Sequence, residues 1–145
     1  MKRIAFFVLA LILLASPVLA ASSMTATISK ASPWLYVMTV TWTAHTDGSF
    51  TSTATPYFDG MVVMAETNPG STAPTANYDI TLTSSDGVDV FGGSLANRHT
   101  STSERAMPLQ NGNYTAVPVA GALTVGITGN SQSGATGTIK IYYVK

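Results

Sequence analysis

No cysteine occurs anywhere in the 145 residues. That excludes disulfides, on which small secreted domains often depend, together with a lipid-modified N-terminal cysteine and any thiolate metal site. Stability must then come from packing, from subunit association or from a bound ion. Charge is scarce as well, with seven Lys and Arg against seven Asp and Glu, 10% of the chain in all. The chain therefore has no basic stripe to serve as an electrostatic footprint for DNA or RNA. Histidine is limited to His45 and His99, in separate polar loops. A zinc site needs about three or four ligands at close quarters, so these read as two solvated loop residues, and no metal or cofactor is expected.

A membrane-spanning run of about 20 apolar residues is also missing. The one long apolar stretch, Ile4 to Leu14, follows Lys2 and Arg3 and precedes Pro17, Val18 and Ala20. A basic start, a short apolar centre and small residues before the cut describe a secretory signal peptide over residues 1–20, with cleavage expected after Ala20. The protein is then exported to the periplasm, the extracellular space or a virion surface, and touches a membrane only if its N-terminal segment is kept. Residues 21–145 form one domain of ordinary length. Its charge is 5 − 7 = −2, from Lys30, Arg98, Arg105, Lys140 and Lys145 against seven acids.

What is present is threonine, serine and apolar residues at a period of two, the pattern of half-buried strands. Met24 to Lys30 reads as an edge strand. Trp34 to Thr43 is the clearest strand, with Trp34, Tyr36, Met38, Val40 and Trp42 on the face expected to enter the core. Ala44 to Pro56, with its Asp47-Gly48 turn, reads as a flexible polar loop and a candidate binding surface through His45, Asp47 and Phe50. Met61 to Thr67 is a continuous buried strand. Asn68-Pro69-Gly70 should stop it in a tight turn, with Gly70 at positive φ.

Asn77 to Thr83 alternates again, and Ser84-Ser85-Asp86-Gly87 with Val88 to Phe91 reads as a hairpin and its returning strand. Ser94 to Ser103 is a polar crossing with room for one helical turn at Leu95–Arg98. Glu104 to Leu109 is a short strand, and Tyr114 to Val119 should be irregular because of Pro118. Gly121 to Thr128 and Thr136 to Val144 complete about eight strands. The expected fold is all-β, an antiparallel β-sandwich of jelly-roll type.

Four groups of side chains could carry chemistry. Ser94 and His99 with a nearby Asp suggest a hydrolase triad, but no Gly-x-Ser-x-Gly elbow supports it. Asp79, Asp86 and Asp89 suggest paired acids or a calcium site, yet their hairpin position favours turn capping. Trp34, Tyr36 and Trp42 resemble a sugar-stacking platform, against which stands their regular alternation. Arg98 and Arg105, with Asp79, Asp89 or Glu104 as partners, read as surface or interface ion pairs. No catalytic residue is assigned, and Arg98, Glu104 and Arg105 are the candidate interface residues.

The string Thr67-Asn68-Pro69-Gly70, Thr72-Ala73-Pro74-Thr75, Asn77-Tyr78-Asp79-Ile80, Asp86-Gly87-Val88-Asp89-Val90, Gly92-Gly93, Leu95-Ala96-Asn97-Arg98 and Ser103-Glu104 resembles a group of small β-rich proteins of tailed bacteriophages and prophages. Gly121 to Thr124 and Asn130 to Tyr143 are similar too. The resemblance implies a virion-associated or exported structural protein that is oligomeric, with no catalytic role attached to the motif. The signal peptide departs from the usual virion pattern, since most tailed-phage structural proteins assemble in the cytoplasm. The expectation is a non-enzymatic structural or interaction protein that assembles with itself or a larger particle, set against a secreted module that binds carbohydrate or a cell surface.

Overall fold

The computed structural model describes residues 20–145. The expected signal peptide lies, but for Ala20, outside the described residues. Every regular element described is a strand. In the larger sheet β1 (Ser23–Lys30), β2 (Leu35–Thr43), β11 (Thr136–Val144), β4 (Phe58–Pro69) and β6 (Glu104–Ala106) lie side by side in that order. The sixth strand of that sheet, β9 (Val117–Gly121), pairs with the first half of β4 while β6 pairs with the second half. The smaller sheet is β3 (Thr53–Ala54), β10 (Thr124–Thr128) and β5 (Asp79–Thr83). A separate ribbon joins β7 (Leu109–Gln110) to β8 (Asn113–Tyr114). All pairings are antiparallel, and the two sheets form the expected β-sandwich.

The core is what period two predicts for strands covered on one face. Met38, Val40 and Trp42 of β2 and Ile139, Ile141 and Tyr143 of β11 face Ile80, Leu82, Val125 and Ile127 of the smaller sheet. Each such side chain, fully buried, contributes about 1.5–3 kcal/mol, so β11 alone outweighs any exposed ion pair, worth about 0–1 kcal/mol. Gly137 stands opposite Trp42 because a Cβ there would lie 2.7 Å from the indole ring.

β4 shows why its apolar run is continuous. Tyr142 pairs with Met64 but Tyr143 pairs with Val62, leaving Val63 as a bulge. The extra residue reverses the facing of the strand, so Val62 and Ala65 are both buried.

Several expectations need correction. Trp34 shares the facing of Trp42 but is 59% exposed, because it sits in the turn before β2, where Ala31 N and Ser32 N both donate to Leu35 O and the smaller sheet no longer covers the face. Gly70 does not have positive φ; β4 continues through Pro69, and Gly70 is needed because a Cβ there would collide with Thr136 Oγ1. Pro118 does not make its segment irregular, since it lies within β9 opposite Met61, where an edge strand tolerates a missing N–H directed outward.

The returning strand Val88–Phe91 reduces to one bridge, Thr83 to Asp89. Asp89 Oδ1 accepts from Leu82 N and Phe91 N, both at 3.2 Å, and Oδ2 accepts from Gly93 N at 2.8 Å. A side chain that takes backbone donors competes with the ladder, and consecutive turns follow instead. No helical turn forms at Leu95–Arg98; Arg98 is extended and bridges Tyr78.

Candidate functional site

The two groups of candidate residues lie in different settings. Arg98 reaches its place because its backbone is paired with Tyr78, Arg98 N donating to Tyr78 O at 2.7 Å. Its guanidinium donates through Nε and Nη2 to Ala96 O and lies 3.8 Å from Glu104 Oε2, and its side chain is only 12% exposed. Glu104 also accepts His99 N at 2.6 Å. Arg98 and Glu104 are therefore a pair that ties the polar crossing to β6.

Arg105 takes a different partner. It projects from the outer face of β6 opposite Glu66 of β4, and its Nε donates to Glu66 Oε2 at 3.0 Å. Lys140 of β11 stands 3.6 Å from the other oxygen of Glu66. The hydrogen bond from Arg105, with the charge of Lys140, holds the Glu66 carboxyl below the usual glutamate range. Sequence reasoning missed Glu66, which lies 39 residues from Arg105; only the pairing of β4 with β6 brings them together.

Between these residues an open cleft of about 490 Å³ is lined by Met64, Ser94, Arg98, Arg105, Met107 and Tyr114 among others. Its reactive inventory is engaged elsewhere. Ser94 Oγ donates to Met107 O at 2.7 Å, while His99 Nδ1 accepts from Ser101 N and Thr102 N at 3.1 Å. Ser94 and His99 thus share no hydrogen bond, and the triad arrangement, which is defined by geometry, is not assembled. Asp79 accepts from Asn97 N at 2.8 Å, and Asp89 caps the three N–H groups given above. Among the described residues no cluster of three His, Asp or Glu side chains is placed to hold a metal ion.

Tyr78, beneath the crossing, is buried, and desolvation pushes its hydroxyl pKa up to about 12.

The loop carrying His45, Asp47 and Phe50 is not a free excursion. Phe50 packs edge-on against Trp42, with ring centroids 6.2 Å apart. Asp47 Oδ1 accepts from Ser49 Oγ at 2.7 Å and Ser49 N at 2.9 Å, and these bonds lower its pKa. Asn130 Nδ2 donates to Gly48 O at 2.7 Å, fastening the loop to the turn before β11.

His45 holds the start of the domain. Its Nδ1 accepts from Ser22 N at 3.0 Å, which assigns the proton to Nε2 for donation to Thr51 Oγ1 at 3.0 Å. Thr51 N in turn donates to Ser22 Oγ at 3.0 Å. Ala20 O lies 3.2 Å from the same Nδ1, which in this tautomer has no proton to give it. Of the three candidate loop residues, His45 fastens the chain's own N-terminal segment, while Asp47 closes its own turn and Phe50 packs on the core. Nothing in the order of residues announced this pairing of Ser22 with His45.

Trp34 and Tyr57, both exposed, mark another end of the molecule. There Lys145 N donates to Trp34 O, the Lys145 ammonium pairs with Asp59, and Tyr36 stacks on Tyr143 at 5.5 Å. Comparison of the chain with protein-family models, with curated proteins and with solved structures finds no match.

Proposed function

We propose that the chain is a non-enzymatic structural or interaction protein, exported and of the phage or prophage kind that its motifs resemble, which assembles with copies of itself or into a larger particle. The observation that carries this reading is the employment of its ionisable groups. Asp79, Asp89, Glu66, Glu104 and Arg98 each hold the chain's own loops or strands. The more exposed charges Arg105 and Asp59 are themselves paired, with Glu66 and Lys145, and such a surface is suited to contact more than to acid–base or nucleophilic work, which needs poised titratable groups. Mass spectrometry of purified particles and of the periplasm tests the reading. The expected result is a species beginning at Ala21 and recovered in an assembled fraction. Recovery only as a free monomer, absent from every particle or filament, would contradict it.

A second reading, a carbohydrate- or cell-surface-binding module, is favoured by one observation: Trp34 is turned to solvent with Tyr57 also exposed. An aromatic ring can stack on a sugar face, so a glycan array with wild type and Trp34→Ala discriminates. Binding that disappears in the variant would favour this module over the structural reading.

A further inference from the structure

Among the described residues β1 is paired on one side only, and the hydrogen bonds around it reveal which backbone groups are left over. Ala31 N donates to Leu35 O at one end of the β1–β2 pair, and Ala44 N donates away from β1 to Ala135 O at the other. The register between β1 and β2 is unbroken. In an antiparallel pair, residues alternate between bonding the neighbour and facing away from it. The odd-numbered residues of β1 therefore bond β2, and Met24, Ala26, Ile28 and Lys30 direct their N–H and C=O groups outward, where no strand lies among the described residues.

The side chains on this edge are unfinished too. Ile28 sits opposite Met38 and shares its inward facing, yet Met38 is fully buried and Ile28 is 41% exposed. The smaller sheet does not reach far enough to cover it. β1 has none of the devices that blunt an edge: over Ser23–Lys30 there is no proline and no bulge, and Lys30, at its very end, is the one charge.

We infer that β1 pairs antiparallel with β1 of a second copy of this chain about a two-fold axis, joining the two larger sheets into one. This deepens the structural reading and rests on it for biological purpose. The occupant follows from self-complementarity, since an antiparallel pair of identical strands is isologous. The register is fixed by which groups are free. Centring on Ala26 would place Ser22 opposite Lys30, but Ser22 N is already held by His45. Centring on Thr27 sets Met24 against the partner copy's Lys30 and Ala26 against its Ile28, using all four outward residues for about eight hydrogen bonds. The small Ala26 beside the large Ile28 then covers the exposed aliphatic surface, and Thr27 meets its symmetry mate as a close, non-hydrogen-bonded pair with Cα atoms about 4.5 Å apart.

The absence of cysteine makes the test clean. The full chain is expressed with Thr27→Cys, or with Thr41→Cys one strand further in, purified as the cell processes it, and oxidised mildly. The Thr27→Cys protein should become a covalent dimer in most of its population while Thr41→Cys stays uncrosslinked. Equal, low crosslinking in both would overturn the pairing. In sedimentation, wild type should be a dimer and Ala26→Pro, which removes an outward donor while leaving the bonds to β2, should be a monomer with an unchanged circular dichroism spectrum. A folded Ala26→Pro protein that remains dimeric would overturn it, as would recovery of β1 paired with a different protein. The two levels separate. Protein found in particles with no Thr27→Cys crosslink sinks the β1 pairing and spares the structural reading, and a crosslinked dimer that binds glycans and loses that binding with Trp34→Ala spares the pairing and sinks the structural reading.

Discussion

The two edges of the larger sheet have been built by opposite means. The β1 edge is one strand of eight residues in unbroken register whose outward backbone groups meet no other strand among the described residues. The opposite edge is divided between β6, three residues long, and β9, which contains Pro118. Charge accompanies that division: Arg105 and Lys140 bracket Glu66, and Arg98 lies beside Glu104. Short length, proline and charge each discourage a further strand from adding. The difference teaches that an open edge in this fold is a local choice, because the same sheet closes its other side thoroughly.

The predictions set these edges against each other. The largest effect is expected from Asp89→Ala, which strips a partner from Leu82 N, Phe91 N and Gly93 N on the smaller sheet and the crossing. Loss of the acceptor for these three donors, two of them part-buried, costs about 2–3 kcal/mol, measured by urea denaturation, while association through β1 should be unchanged. If association falls in step with stability, the edges are not independent.

His45→Ala should cost less, about 1 kcal/mol for the neutral hydrogen bonds lost. Amide exchange should quicken at Ser22 and Thr51 and leave the far edge untouched. Quickening at Arg105 instead would refute the assignment of His45 to the near edge.

Glu66→Gln acts on the closed edge and should destabilise by less than about 1 kcal/mol at neutral pH, as exposed pairs do. The Glu66 carboxyl is held below its unfolded value, so its contribution is full above the ordinary glutamate range and is lost as pH falls through the folded value. Thermal melts of wild type and variant should accordingly converge in acid. Tyr78→Phe is the subtlest. The folded hydroxyl stands near 12 against 10 for the free side chain, so its contribution is present below pH 10 and is lost as pH rises toward 12. The variant should be nearly neutral at pH 7 and lose less stability than wild type across that alkaline interval, as followed by melting.

Much of this architecture was legible beforehand. Period two identified β2, β5, β10 and β11, and in β2 the inward residues Met38, Val40 and Trp42, since a half-buried strand needs no long-range information to show its facing. Trp34 was misread because facing persists along a strand while cover does not. Val88–Phe91 was misread because a turn signal followed by apolar residues cannot disclose that Asp89 would draw three backbone donors to itself. The candidate site was less legible still. Arg98 with Glu104 is local, six residues apart, and was among the partners considered; Arg105 with Glu66 and Ser22 with His45 depend on which strands become neighbours. The open edge was half visible, as Met24–Lys30 read as an edge strand, but which residues face outward required the hydrogen bonds of the β1–β2 turn.

Amide hydrogen exchange, followed residue by residue along β1 as protein concentration is raised, addresses the open edge most directly. Met24, Ala26, Ile28 and Lys30 should become protected with concentration while Thr25, Thr27 and Ser29, already bonded to β2, and the amides of β6 and β9 do not change. Exchange at the four outward amides that stays fast and independent of concentration would contradict the account.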